Sequence, residues 1–331
     1  MQLEQVETTK VTVSGSLTTL FAYGDKEGPT ILAIHGFRGT HHGLEPLAQA
    51  LAGFGYRVLV PDLPGAGDSS AMVGSHNAMS FGAWLGELTE RLPVSTILLG
   101  HSFGSVIVAS AIAQGADHRS AVLVNPILKP PLTGPRRVAT AATRAYYALA
   151  GRLPLRFGER LLASRLIAGV GGAIMTSTSD AGQRKWIRKE HRRHAGSFSS
   201  RAVVIESFIA STTTTVLDFA DHLQRPVLLC GAGRDPLTPA SVYNVEATGI
   251  QSGTFHVFPD RGHLLPFEEV DSISQLIANW DGMVEPPTAG SHTVRLVGSA
   301  KKRATRHTTS LRSAYPSDQS FTDRGTKETP S

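Results

Sequence analysis

The chain has 331 residues, 41% of them hydrophobic and 18% charged, with a formal net charge of +5. These are the proportions of a soluble globular protein large enough for a sizeable core, as one large domain with an insertion or as two domains. No run of eighteen apolar residues occurs, which argues against a transmembrane helix, and the single cysteine, Cys230, excludes an intramolecular disulfide.

The start, "MQLEQVETTK", carries acids and no apolar stretch, unlike a secretory signal, so a cytoplasmic location is expected. "KVTVSG" and "LTTLFAYG" alternate in the manner of antiparallel strands. "TILAIHG", "YRVLVPDL", "TILLGHS", "SAVLVNP", "PVLLCGAG" and "TFHVFPD" are continuous apolar runs, as in a parallel sheet covered on both faces. Amphipathic segments at 44–53, 80–92, 103–114, 239–247 and 266–280 predict crossover helices. The expected fold class is therefore α/β, a mostly parallel eight-stranded sheet flanked by helices.

After Asn125-Pro126 the rhythm breaks. Alanine- and arginine-rich helical pieces fill 127–215, where "AVVIES" reads equally as strand or helix, and the strand pattern resumes at Pro226. The chain divides on this reading into a first core part at 1–126, a helical cap at 127–215, a second core part at 216–285 and a basic tail at 286–331, rich in Pro, Ser, Thr, Lys and Arg and expected to be disordered. The cap segment holds 15 basic and 4 acidic residues. Such an excess fits a solvated arginine-rich surface, and it also fits attraction of an anionic substrate or membrane surface. No nucleic-acid-binding module is present.

The chemistry concentrates in "TILLGHSFGSVIVAS", where a buried strand hands over to a helix around Ser102. Gly100 and Gly104 allow the close approach that a G-x-S-x-G turn needs, so the serine oxygen stands clear of the sheet edge; a capping serine on an ordinary turn is the plainer alternative. A serine hydroxyl becomes nucleophilic only beside a base, which in turn needs an orienting acid. Asp235 in "VLLCGAGRDPLTP" and His263 in "FHVFPDRGHLLPFEE" follow Ser102 in the required order, each just past a strand. Asp218 and Asp260 are the rival acids. The oxyanion formed on attack needs preset donors, expected from the backbone N–H groups of Phe37 in "HGFRGTHH" and of Phe103. His35, Arg38 and His101 are possible substrate contacts, and Tyr146, Tyr147, Leu149, Leu161, Leu162 and Trp186 could line an acyl pocket. His41 and His42 read as loop scaffold, and no metal or cofactor is expected.

The set "HGF", "DLPGAGDS", "GHSFGS", "GAGRDP" and "RGHLLPFE" resembles the α/β-hydrolase superfamily, in its cap-bearing branch, over about residues 10 to 285. The resemblance implies Ser102 as nucleophile, His263 as base, Asp235 as acid, and Phe37 and Phe103 as oxyanion-hole residues. Members that open epoxides or displace halide carry an aspartate at the nucleophile position, so Ser102 points instead to acyl chemistry. The expected activity is cleavage of a carboxylic ester or thioester on a small molecule, anionic or acyl-containing, through an acyl-enzyme. The alternatives are a carbon–carbon hydrolase or a lyase resembling the menaquinone-pathway synthase of the same fold, and a binding protein that has kept the triad residues.

Overall fold

The computed structural model describes residues 6–131 and 137–284; the tail expected at 286–331 lies outside the described residues. The chain runs β1 (Glu7–Val13), β2 (Ser16–Tyr23), β3 (Thr30–Ile34), α1 (Glu45–Gly53), β4 (Arg57–Pro61), α2 (Ala78–Thr89), β5 (Ile97–His101), α3 (Phe103–Ala113) and β6 (Ser120–Val124). Among the described residues five helices then intervene: α4 (Arg137–Arg152), α5 (Leu155–Leu162), α6 (Arg165–Met175), α7 (Ala181–Arg193) and α8 (Arg201–Thr213). The chain returns to the sheet with β7 (Val227–Ala232), α9 (Val245–Thr248), β8 (Gly253–Phe258), α10 (Leu265–Glu268) and α11 (Val270–Asp281).

The eight strands form one sheet in the order β1-β2-β4-β3-β5-β6-β7-β8. β1 and β2 pair antiparallel, and β2 is antiparallel to β4. From β4 to β8 every pairing is parallel. The central strands are short and buried on both sides because their residues are continuously apolar: "ILLGH" and "SAVLV" have no exposed position. One face packs on α2 and α3 through Phe81, Trp84, Leu85, Val106 and Ile107. The other packs on α1 and α11 through Leu47, Leu51, Ile273 and Ile277.

Two expected helices are broken. Segment 239–247 is a 3₁₀ turn at Ala240–Val242 followed by α9, because the Asn244 side chain accepts the Ala247 N–H and starts a new helix. Segment 266–280 divides at Glu269, which joins α10 to α11 in a non-helical conformation (φ −136°, ψ 41°). The ambiguous "AVVIES" is helical and lies in α8.

The sheet order positions the site. β3 and β5 are neighbours, yet the helices that follow them, α1 and α3, cover opposite faces of the sheet. The loops leaving these two strands therefore diverge and open a crevice at the carboxyl edge, where open α/β sheets bind ligands.

Candidate active site

Ser102 sits between β5 and α3 with φ 54° and ψ −121°, a conformation that L-residues rarely adopt. Its surroundings enforce that geometry. A methyl group on Gly104 would overlap the Ile34 carbonyl, and one on Gly100 would lie 2.5 Å from the Gly104 oxygen. The Ser102 N–H donates to the Val124 carbonyl at 2.9 Å, extending the β5–β6 ladder by one residue before the chain turns away. The Ser105 hydroxyl then donates to the Ser102 carbonyl.

The Ser102 hydroxyl donates to His263 Nε2 at 2.7 Å. His263 Nδ1 donates in turn to Asp235 Oδ2 at 2.8 Å. Asp235 follows β7 and His263 follows β8, so three loops at one edge of the sheet bring together residues far apart in the chain. Asp235 Oδ1 also accepts the Leu237 N–H at 2.8 Å. Burial pushes the Asp235 carboxyl up, but the His263 charge and the hydrogen bonds from His263, Leu237 and Asn125 outweigh it and hold the group below the ordinary carboxylate range. An ionised acid thus faces the imidazole. The rival acids are engaged elsewhere: Asp260 pairs with Arg234 at the surface, and Asp218 caps the 3₁₀ helix after α8 with Thr215.

The loop after β3 lies against the serine. A Cβ on Gly36 would stand 3.0 Å from Ser102 Cβ and 3.4 Å from Ser102 Oγ. Phe103 is the first residue of α3, so its N–H has no acceptor within the helix. The Phe37 N–H makes no hydrogen bond among the described residues. Both residues adjoin the serine along the chain or through Gly36.

The three expected substrate contacts turn out to be engaged with protein. His35 is fully buried: Nδ1 donates to the Gly36 carbonyl at 2.9 Å, and Nε2 accepts the Leu63 N–H at 3.0 Å. Burial holds its pKa below the usual histidine value. His101 Nε2 donates to the His263 carbonyl at 3.0 Å, and burial, reinforced by the His263 charge, lowers its pKa to about 3. Arg38, in a left-handed conformation (φ 63°), donates through Nη2 to the carbonyls of Leu162 and Ala195 and stacks over the Phe198 ring. It ties the loop after β3 to the helices between β6 and β7. Their positions in sequence do not reveal these partners, and Arg38 Nη1 is buried without one.

His41 is scaffold, as its position in the loop implies. Its ring stacks on Phe21 and lies 3.0 Å from Asp62, which also accepts the His41 N–H. The expected acyl-pocket residues divide. Tyr146, Tyr147, Leu161 and Leu162 cluster beside Phe37, with Tyr147 stacked on Phe208 at 3.8 Å. Leu149 is half exposed, and Trp186 packs edge-on against Phe267. A small cavity of about 40 Å³ lies behind the Gly36–Arg38 loop, with Phe37, Phe81, Phe103, Phe198, Val203 and Val204 in its wall; Ser102 and His263 do not line it.

Two residues missed in the sequence complete the site. Asn125, immediately after β6 and fully buried with φ 45°, donates through Nδ2 to Asp235 Oδ2 at 3.0 Å and to the Gly262 carbonyl at 3.3 Å. Its Oδ1 accepts the Leu265 N–H at 3.3 Å. The signal was a lone Asn between a strand and a proline, a position that also suits an ordinary turn. Glu268 accepts the N–H groups of Ser177 and Gly262, while the Met175 carbonyl accepts the His263 N–H at 2.9 Å. The His263 loop is thereby fastened to the α6–α7 connection. Among the described residues no three His, Cys, Asp or Glu side chains converge as metal ligands, and no single helix is long and apolar enough to cross a membrane.

Comparison with known proteins gives a consistent picture. A model of the alpha/beta hydrolase family matches residues 31–274. The magnesium-chelatase 30 kDa subunit of Rhodobacter capsulatus is 24% identical over 263 residues, covering 78% of this chain and 88% of that protein. The 2-hydroxy-6-oxononadienedioate/2-hydroxy-6-oxononatrienedioate hydrolase of Escherichia coli is 24% identical over 285 residues, covering 80% of this chain and 87% of that one. Among solved structures, a thermophilic esterase from Thermogutta terrifontis superposes with a TM-score of 0.67 at 21% identity, over 84% of this chain and 99% of that one.

Proposed function

Because the chain belongs to the alpha/beta hydrolase family, we propose that it is a serine hydrolase that cleaves a carboxylic ester or thioester through an acyl-enzyme. The observation that carries this reading is the unbroken relay from Ser102 Oγ through both nitrogens of His263 to Asp235, at 2.7 and 2.8 Å. In the first half-reaction His263 Nε2 takes the Ser102 proton as Oγ bonds to the carbonyl carbon. The imidazolium formed is stabilised by ionised Asp235 and returns that proton to the departing alcohol or thiol. Water, deprotonated by the same nitrogen, then attacks the acyl carbon and releases the acid, restoring the Ser102 hydroxyl.

The N–H groups of Phe37 and Phe103 are assigned to the oxyanion, where one such donor is worth about 3 kcal/mol in the transition state. Segment 127–215 acts as a cap over the carboxyl edge; the ties from Arg38, Glu268 and Met175 support this. Hydrolysis of a panel of chromogenic acyl esters of increasing chain length, compared with Ser102→Ala, tests the reading. Loss of turnover in the variant supports it; equal rates in both proteins overturn it.

A second reading is carbon–carbon bond hydrolysis with the same three residues. The Escherichia coli relative, similar along most of the chain, favours it. Release of an alcohol or thiol from a defined ester, against consumption of a vinylogous diketone, separates the two.

A further inference from the structure

Helix α6 is packed inside out. Its buried positions are Gly169 and Gly172, which lie against α7: a Cβ on Gly169 would stand 3.0 Å from Arg192 Cδ, and one on Gly172 would stand 2.9 Å from His191 Cγ. The opposite side carries Leu166, Val170 and Ile174 at intervals of four, which places them in one row. They are 71%, 52% and 60% exposed, with Ile167 beside them at 38%. A helix of a water-soluble domain ordinarily buries such a row and exposes its small residues. The only charged residue of α6 is Arg165.

The neighbouring helix supplies the complement. On α7, Lys185, Arg188, Lys189, Arg192 and Arg193 are exposed, and among the described residues none of them forms an ion pair. The acid of this helix, Glu190, faces His194 instead. The carbons of Arg192 lie against Gly169, and the residue is exposed. Trp186 is 38% exposed on the same helix. An exposed aliphatic row on one helix with unpaired cations and an indole on the next is the composition of a surface that inserts shallowly among anionic headgroups.

We propose that the α6–α7 face docks on an anionic lipid bilayer, with Leu166, Val170 and Ile174 among the acyl chains and the α7 cations on the phosphates. Charge selects this occupant over a second copy of the chain, because symmetric self-association through this face would set the α7 cations against one another. Ile174 adjoins Met175, whose carbonyl holds the His263 N–H. Docking therefore brings the bilayer to the end of the helix that meets the His263 loop. This proposal does not depend on the reaction the site performs.

The test is co-sedimentation of the full chain with phosphatidylcholine vesicles and with vesicles that also contain phosphatidylglycerol, at low and high salt. The expected result is binding at least about tenfold stronger to the phosphatidylglycerol vesicles, weakened by salt. Combining Leu166→Ser, Val170→Ser and Ile174→Ser should lower that binding about tenfold. Combining Lys185→Gln, Arg188→Gln, Lys189→Gln and Arg193→Gln should remove the preference for the anionic lipid. These side chains are exposed, so circular dichroism and melting should match wild type. No pelleting with either vesicle, equal pelleting with both, or undiminished binding by the serine variant would overturn the proposal. A dimer in light scattering that the serine variant dissolves, with no vesicle binding, would assign the face to self-association and overturn it as well.

Discussion

Replacing Asn125 with glycine isolates the contribution of a side chain that touches no substrate. Glycine is the appropriate replacement because φ at this position is 45°, where alanine would add strain of its own. The substitution removes the donor to Asp235 Oδ2 at 3.0 Å and the bridge to Gly262 and Leu265. A hydrogen bond to a charged group contributes about 1.5–3 kcal/mol net. Asp235 must be ionised and correctly aimed when the imidazolium forms, so most of that loss falls on the transition state. At about 1.4 kcal/mol per tenfold, kcat/KM on a chromogenic ester should fall about 10- to 150-fold. Asn125 is also one of the groups holding the Asp235 carboxyl below its ordinary range. Its loss should move the acid limb of the pH–rate profile upward, a change that a purely structural defect would not produce. A variant that folds normally and retains kcat/KM within twofold, with an unmoved acid limb, would refute the positioning role.

Gly36→Ala sets a methyl group 3.0 Å from Ser102 Cβ, so kcat should drop by about 10²-fold while the melting temperature changes little; steady-state kinetics with a parallel melt checks this. Gly104→Ala should abolish soluble expression or activity altogether, because the added methyl meets the Ile34 carbonyl of the neighbouring strand. His101 concerns stability. Its folded pKa is about 3, below the unfolded value, so only the unfolded chain takes up its proton in the interval between them. Stability from this group is therefore complete above the unfolded pKa and is lost as pH falls toward 3. Urea unfolding at stepped pH should show about 1.4 kcal/mol less stability per pH unit in that window. His101→Gln, if folded, should lessen the slope by one proton; an unchanged slope would contradict the assignment.

The parts of the fold that were legible in the sequence are those set by local pattern. "TILAI", "TILLG" and "SAVLV" are apolar at successive positions because both faces of those strands are covered, and each is a central strand. Gly100 and Gly104 marked the turn at Ser102 because a tight turn excludes side chains at fixed offsets, whatever else the chain does. The order of Ser102, Asp235 and His263 was legible because each follows a strand of the same sheet. What escaped was direction and partnership. His101 adjoins the serine in sequence and His35 and Arg38 lie in the loop after β3, but whether a side chain faces cleft or scaffold depends on carbonyls such as those of Leu162 and His263, far along the chain. Asn125 finds Asp235 across 110 positions, and no local pattern encodes that contact. The breaks at Asn244 and Glu269 were hidden because amphipathic spacing continues across them. In α6 the aliphatic row would ordinarily mark the buried face, whereas α7 covers the glycines, so periodicity points to the wrong side.

The account stands on an activated Ser102 oxygen that becomes covalently acylated during turnover. Acid-quenching the enzyme within the first turnovers on a chromogenic acyl ester, followed by peptide mass spectrometry, reads that state directly. The peptide containing Ser102 should carry the acyl group of whichever ester was supplied, and the modification should be absent in Ser102→Ala. Full turnover with an unmodified Ser102 peptide, or acylation that persists elsewhere in Ser102→Ala, would contradict the account.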